Sequence, residues 1–150
     1  MKEPVQIKHP DDIISLLKTW ARRRQEHFLV ITLNAAHEVI RVHCVSMGIV
    51  NRTIANPREI FFPAIKDNAL KVIFAHNHPS GHINPSLADD DLHERLEACC
   101  QILGFSMMDN LIITKSGKYY SYRREGRITK TYEDSIINER RRYAKDIRLH

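Results

Sequence analysis

Three polar residues interrupt the chain where an apolar run ends, and two of them are histidines. The stretch "VIFAHNHPSG" puts His76 and His78 one residue apart, directly after four apolar residues. Side chains two residues apart in a strand project from the same face of a sheet, so both imidazoles should point the same way and Asn77 the opposite way. Imidazole is a frequent metal ligand, and the pair is therefore a candidate for part of a metal site.

A hydroxyl and a carboxylate follow at the start of the next predicted helix. Ser86 precedes "LADDDLHERLEACCQIL", and Asp89 falls in its first turn, where the helix dipole favours a negative charge. Residues 86–89 also nearly match the sequence pattern of a capping box, and a structural cap alone would explain both side chains. The combination with two histidines is more specific, because two imidazoles at a strand end and one carboxylate at a helix start can converge. Three such ligands and an open fourth position are typical of a catalytic zinc.

The complete spacing resembles a known motif. His76-x-His78, seven residues, Ser86, two residues and Asp89 look like the JAMM motif of MPN (JAB1) domain metalloproteases. The stretches "PREIF", "AHNHPSG", "ILG" and "YYSYRREG" resemble the RadC branch of that superfamily, over roughly residues 24 to 126. The helix-hairpin-helix region upstream in long RadC proteins has no counterpart in these residues, so the sequence resembles a stand-alone RadC-like domain. The resemblance implies one Zn²⁺ per chain, with His76, His78 and Asp89 as its ligands.

The motif also requires a glutamate before the first strand. Glu26 in "QEHFLVITL" is in a matching place, although by itself it would be interpreted as a solvated charge at a helix end. Glu59 in "PREIF" is the alternative, but it falls in the first turn of a predicted helix, where a carboxylate needs no further role. We therefore expect Glu26 to be the motif glutamate.

The resemblance implies a zinc-dependent hydrolase of the metallopeptidase or isopeptidase type, acting on a peptide or isopeptide substrate. Glu26 would be the general base, and Ser86 would donate a hydrogen bond to the oxyanion. The rival hypothesis is a non-catalytic zinc-binding interaction module associated with DNA repair, with nucleic acid or a protein held by the basic C-terminal tail. A structural zinc needs neither Glu26 nor Ser86, so their presence favours hydrolysis.

Two positions depart from the RadC pattern. His82 stands where relatives commonly carry an acidic residue, and Asn110 where they commonly show a histidine. Neither belongs to the predicted ligand set, so both are expected to affect specificity more than metal binding. The family resembles the cytidine deaminases in fold, but the deaminase signature, His-x-Glu with Pro-Cys-x-x-Cys, is absent. Cys44, on the second predicted strand, is expected in the core.

The order of predicted elements indicates an α/β fold with a mixed β-sheet covered by helices, which the resemblance specifies as an MPN/cytidine deaminase-like three-layer fold. The pattern predicts a helix over residues 11–24, a hairpin of strands 27–34 and 38–47, and a helix capped by Asn56, in which Pro63 must introduce a kink or an early end. A buried strand over residues 71–78 and a helix from Ser86 to Leu103, stopped by Gly104, come next. Two strands, over residues 105–115 and 118–126, complete the sheet.

Composition sets the remaining expectations. The 150 residues suit one domain, with residues 1–128 as the RadC-like domain and residues 129–150 as a basic helix or tail. Nine of the 23 Lys and Arg residues follow residue 122, against five of the 18 Asp and Glu residues, so residues 123–150 carry most of the net charge of +5. Three cysteines, an odd number, favour a reducing cytoplasmic location, and the uncharged stretches are too short for a membrane span. No pattern indicates an oligomeric state.

Overall fold

The structure, a computed structural model, describes residues 3–47, 56–129 and 141. Its strands follow the β-branched and aliphatic runs of the sequence. They are β1 (His27–Leu33), β2 (Val39–Met47), β3 (Lys71–Asn77), β4 (Ser106–Ile113) and β5 (Tyr119–Ser121).

These strands form one mixed sheet in the order β2-β1-β3-β4-β5. β1 pairs antiparallel with both β2 and β3, β3 runs parallel to β4, and β5 returns antiparallel to β4. The central strand β3 is buried from Val72 to Asn77, because it has a partner on each side and helices on both faces. The mixed sheet predicted from the sequence is confirmed.

Helices cover both faces of this sheet. The helices are α1 (Pro10–Leu16), α2 (Lys18–Ala21), α3 (Pro57–Lys66) and α4 (Leu87–Leu103). Side chains of α1 and α2 pack with alternate residues of β1, β3 and β4, whereas α3 and α4 pack against the opposite set. The fold therefore has three layers, and alternate residues of β3 face different helices. Phe74 faces α3 and α4, and Ile73 faces α1.

The predicted N-terminal helix is divided in two at Leu17. This residue, which is fully buried, leaves the helical conformation with φ −98° and ψ 13°. The second predicted helix begins as expected, since the Asn56 side chain accepts a hydrogen bond from the Arg58 backbone N–H. It continues past Pro63 to Lys66, so the proline does not end it.

The last strand is much shorter than predicted, because side chains close a turn directly after it. Ser121 Oγ accepts a hydrogen bond from the Arg124 N–H, and Asp109 Oδ1 accepts one from the Arg123 N–H. The Arg124 N–H, which a longer strand would offer to β4, is thus bonded inside the turn. The interpretation of Cys44 as a core residue is also wrong, since it is exposed on the edge strand β2.

The predicted tail over residues 129–150 lies almost entirely outside the described residues. Within the described part of the chain, every helix is too short or too polar to cross a bilayer.

Gly104 ends α4 as the sequence predicts, in the left-handed conformation with φ 85°. An added Cβ would meet nothing within 4 Å, so Gly104→Ala changes backbone preference and little else. We expect this substitution to lower the free energy of unfolding by about 1 kcal/mol. Gly104→Asn, which tolerates this conformation better, should recover part of the loss in urea unfolding. Equal stability of the alanine variant and the wild type would contradict this account of the helix end.

Candidate metal centre

Four ionisable side chains from three elements meet at one end of the central strand. They are Glu26, His76, His78 and Asp89, each with one potential ligand atom within 4.8 Å of all the others. His76 and Asp89 are buried, and Glu26 and His78 are partly exposed. The sequence analysis named the same four residues, and the structure brings all of them together.

Strand register explains why three of the four meet. β1 and β3 pair with Phe28 opposite His76, and the next position on the same face in each direction holds Glu26 and His78. Side chains two residues apart share a face, so His76, His78 and Glu26 all project towards the layer that contains α4. Phe28 stacks on the His76 ring with 6.5 Å between the centroids and 18° between the planes, which fixes the ring orientation.

The fourth residue comes from the start of α4. Ser86 Oγ accepts a hydrogen bond from the Asp89 N–H at 3.1 Å, and Asp89 Oδ2 accepts one from the Ser86 N–H at 2.9 Å. This reciprocal capping box is worth roughly 1 kcal/mol to the helix, and it also holds the Asp89 carboxylate in one orientation. Ser86 therefore caps the helix, as the structural interpretation of the sequence proposed.

The distances separate three of the residues from the fourth. His76 Nε2 lies 3.1 Å from His78 Nε2 and 3.3 Å from Asp89 Oδ1, and His78 Nε2 lies 3.3 Å from Asp89 Oδ2. Two N or O ligands at about 2.0 to 2.1 Å from one tetrahedral zinc lie about 3.3 to 3.4 Å apart. Glu26 Oε1 is farther away, 3.9 Å from His76 Nε2. The three close residues fit a single tetrahedral ion, and Glu26 lies just beyond their shell.

Charge complementarity also favours a cation at this point. Burial raises the pKa of Asp89, but hydrogen bonds from His76 and His78 outweigh burial and hold that pKa well below its usual range. Asp89 is therefore an anion at neutral pH, with Glu26 beside the same group of atoms. A divalent cation would neutralise both carboxylates and accept the facing imidazole nitrogens, which suits the composition of this donor set.

His78 is oriented by the loop that follows it. Its Nδ1 donates a hydrogen bond to the His82 backbone carbonyl at 2.8 Å, so in the neutral imidazole Nε2 is the nitrogen without a proton and can bind a metal. The His82 side chain itself is exposed on this loop. The contribution to His78 comes from the backbone, and no sequence pattern signalled it.

Asn77, between the two histidines, anchors the segment that carries Glu26. Its Oδ1 accepts a hydrogen bond from the His27 N–H at 2.7 Å, and its Nδ2 donates to the carbonyls of Arg23 and Gln25 at 3.2 and 3.0 Å. The sequence predicted only that Asn77 faces away from the histidines. Its partners are 50 to 54 residues away along the chain, so no local pattern could identify them.

Other residues named from the sequence lie elsewhere. Glu59 borders a groove between α3 and β2 with Cys44 and Phe62, and it does not belong to the four-residue cluster. Asn110 is 3% exposed and its Nδ2 donates to His93 Nδ1 at 3.0 Å, so it does not reach a bound substrate directly. Its side chain belongs to a buried contact with α4, and an effect of Asn110 on specificity stays a prediction.

A cleft of about 400 Å³ opens over the cluster. It exposes the candidate site to solvent on one side, whereas β3 and α4 bury the other. Its lining combines three of the four cluster residues with Ser86 and the loop after β3: Glu26, His78, Asp89, Ser86, Pro79, Ser80, His82 and Asn84.

Residues 7–127 match the family described as RadC-like JAB domain. The chain belongs to this family. Among similar proteins, the UPF0758 protein of Methanospirillum hungatei is 45% identical over 127 residues, which cover 83% of this chain and 56% of the relative. The UPF0758 protein of Aquifex aeolicus is 35% identical over 125 residues, covering 83% of this chain and 54% of the relative.

This RadC-like JAB chain thus spans about half the length of the curated relatives it matches. The relatives' name, UPF0758 protein, states no activity. The family match confirms the resemblance found in the sequence, and the fold agrees with it. The chemistry must be argued from the site itself.

Loss of either histidine should abolish stoichiometric metal binding, because each supplies one of only three nearby ligand atoms. We expect purified protein to carry about one zinc per chain, and His76→Ala or His78→Ala to retain far less by elemental analysis. His82→Ala is the matched control, since the His82 contribution is a backbone carbonyl that the substitution keeps. Undiminished zinc in both test variants would show that the ligands are misassigned.

Substitutions of Asp89 and Ser86 should have different effects, on zinc affinity and on stability respectively, although the two residues share one capping box. Asp89→Asn removes an anionic ligand and should weaken zinc affinity in titration calorimetry. Ser86→Ala should keep the metal and lower the free energy of unfolding by about 1 kcal/mol through the lost cap. Zinc release by Ser86→Ala together with retention by Asp89→Asn would reverse the roles assigned to the two residues.

Proposed function

We propose that the chain is a zinc-dependent hydrolase of amide bonds, of the metallopeptidase or isopeptidase type. One observation carries the proposal. The facing atoms of His76, His78 and Asp89 lie 3.1 to 3.3 Å apart, as zinc ligands do, whereas Glu26 Oε1 lies 3.9 Å from His76 Nε2. A purely structural site would be closed by a fourth ligand at the same spacing. A carboxylate held slightly farther away is suited to hydrogen-bond a molecule at the open position.

His76, His78 and Asp89 would hold the ion, with the imidazoles bound through Nε2. A zinc ion held there supplies Lewis-acid activation of a water molecule and of the substrate carbonyl. The ordered hydrogen bonds at His78 Nδ1 and around Asp89 keep these ligand atoms in place before the ion arrives. The protein therefore does not have to reorganise its ligands on binding.

Glu26 would act as the general base. Its carboxylate accepts a proton from the attacking water and returns that proton to the leaving amine, so one residue serves both halves of hydrolysis. The Glu26 side chain is 22% exposed, which leaves it accessible from the cleft while its backbone is fixed by Asn77. This partial exposure suits a group that must exchange a proton with each substrate.

Ser86 would stabilise the oxyanion. Its Oγ uses a lone pair to accept the Asp89 N–H, so the hydroxyl proton is available for donation into the cleft that Ser86 lines. The helix cap holds the oxygen in one place, which is the property that makes an oxyanion donor effective. Ser86 can therefore serve helix stability and catalysis through different parts of one hydroxyl group.

The cleft is consistent with a peptide or isopeptide substrate. It is open to solvent and is lined by polar residues beside the cluster, so an extended chain has access to it. The neighbouring loop offers Ser80, His82 and Asn84 as hydrogen-bonding groups for substrate amides or side chains.

The rival function is a zinc-holding interaction module whose basic tail binds nucleic acid or a protein. Seven of the nine late Lys and Arg residues belong to the stretch from Arg127 onward, which is mostly outside the described residues. The rival gives no reason for Glu26 to be anchored beside the ligands or for the cleft to open over them. Hydrolysis explains both features and is therefore preferred.

Glu26→Gln tests the hydrolase proposal. The amide keeps the shape but cannot accept a proton, so hydrolysis of peptide-library substrates should fall about 10²- to 10⁴-fold while zinc content stays unchanged. Glu59→Gln is the matched control, because Glu59 is a surface carboxylate away from the cluster. Equal rates of hydrolysis for wild type and Glu26→Gln would show that Glu26 is not the general base. If the zinc-loaded wild type cleaves nothing, and a salt-sensitive interaction with DNA is lost on deleting residues 129–150, the rival is favoured.

A further inference from the structure

Among the described residues, Asn77 is the only one whose side chain bonds to the backbone on both sides of Glu26. It bonds to the Gln25 carbonyl before Glu26 and to the His27 N–H after it, and also to the Arg23 carbonyl. The segment from Arg23 to Glu26 has no helix or strand pairing of its own. Backbone groups outside regular structure need other partners when they are buried, and one amide side chain provides three of them here.

The amide group of Asn77 matches these partners in only one orientation. Its NH₂ faces two carbonyl oxygens and its oxygen faces an N–H, so reversing the amide would break all three bonds. Asn77 is fully buried, and its bond to the His27 N–H is buried as well and therefore sheltered from competing water. No other common side chain of this size offers two donors and one acceptor in this arrangement.

Sheet geometry makes Asn77 a link between the metal ligands and the base. It is flanked in sequence by His76 and His78 but projects from the opposite face of β3. β3 thus presents the imidazoles of His76 and His78 on one face of the sheet. From the opposite face, the Asn77 side chain bonds to the backbone on either side of Glu26. The separation between Glu26 and His76 is therefore set from β3 itself.

We propose that Asn77 is a positioning residue, which acts through Glu26 and fixes the position of the Glu26 carboxylate relative to the metal ligands. Without Asn77, residues 23–26 lose their bonds to β3, and the bonds that stay, from His27 Nδ1 to the Gln25 carbonyl and from the Arg23 N–H to the Trp20 carbonyl, do not reach β3, so Glu26 is no longer confined to one place. The ligands themselves stay where the ladders to β1 and β4 hold them. The part of this proposal that concerns catalysis rests on the proposed hydrolase function, whereas the anchoring does not.

The test variant is Asn77→Asp, which keeps size and the acceptor but replaces the two donors with an oxygen facing carbonyl oxygens. Asn110→Asp is the matched control, a buried asparagine on the adjacent strand β4 that bonds to His93 and not to the Glu26 segment. Hydrogen exchange needs a variant that also removes the acceptor of the His27 N–H, so the His27 amide should lose protection in Asn77→Leu and keep it in the matched control Asn110→Leu. Unchanged protection in a folded Asn77→Leu protein would overturn the anchoring.

Cobalt(II) provides a readout that needs no substrate. With the ion alone bound, Asn77→Asp should have the visible spectrum of Glu26→Gln, because both variants remove the carboxylate from the ion's surroundings. Asn110→Asp should keep the wild-type spectrum. A wild-type spectrum for Asn77→Asp, with an altered one for Glu26→Gln, would show that Glu26 holds its place without Asn77.

A double-mutant cycle separates positioning from general damage. On a substrate that the wild type cleaves, Asn77→Asp should lower kcat at least 10-fold alone and have no further effect in the Glu26→Gln background. Equal loss in both backgrounds would indicate a structural role only. If the wild type cleaves no substrate, the hydrolase proposal fails, and the exchange and cobalt measurements still decide the role of Asn77.

A measurement on the wild type covers the case in which Asn77→Asp does not fold. The side-chain NH₂ protons of Asn77 should exchange slowly in nuclear magnetic resonance spectra, because both are held by carbonyls in a buried site. Rapid exchange of these protons in the folded wild type would overturn the proposal.

Discussion

The candidate site depends on the antiparallel register between β1 and β3. With Phe28 opposite His76, the strand ends bring Glu26 to the level of His78 on one face and His27 to the level of Asn77 on the other. A shift by one residue would reverse the face of every side chain on one strand and would bury Glu26 among apolar groups. Six paired positions, almost all of them buried, hold this register.

A second constraint is the start of α4. The same carboxylate completes a capping box with Ser86 and approaches both imidazoles, using Oδ1 for His76 and Oδ2 for His78. Helix stability and ligand orientation are therefore coupled, since a helix that begins at another residue would move Asp89. The structural and functional interpretations of this residue are thus compatible.

Much of this arrangement could be predicted from the sequence, because it rests on short periodicities. The two-residue repeat of a strand put His76 and His78 on one face, and the cap pattern put Asp89 in the first turn of α4. Glu26 was different: its local sequence predicts only a solvated charge, and the family resemblance was needed to select it over Glu59. The distance of Glu26 from the cluster depends on strand pairing, which local patterns do not encode.

The features that sequence could not supply all involve distant partners. Asn77 bonds to residues at least 50 positions away, and His78 is oriented by a backbone carbonyl, for which no residue type is required. Cys44 was expected in the core because it lies on a predicted strand, but an edge strand leaves part of each face uncovered. β5 was predicted too long because the side-chain bonds that close its turn involve Asp109 on the neighbouring strand.

The central claim is that Glu26 stands beside the ion as a base and does not bind it. A crystal structure of the zinc-loaded protein, with the ion located by anomalous scattering, tests this claim most directly. The account predicts that His76, His78, Asp89 and one water bind the zinc, with a Glu26 carboxylate oxygen about 2.6 to 3.2 Å from that water. A zinc ion bound by Glu26 itself, or a Glu26 side chain turned into solvent away from the ion, would contradict it.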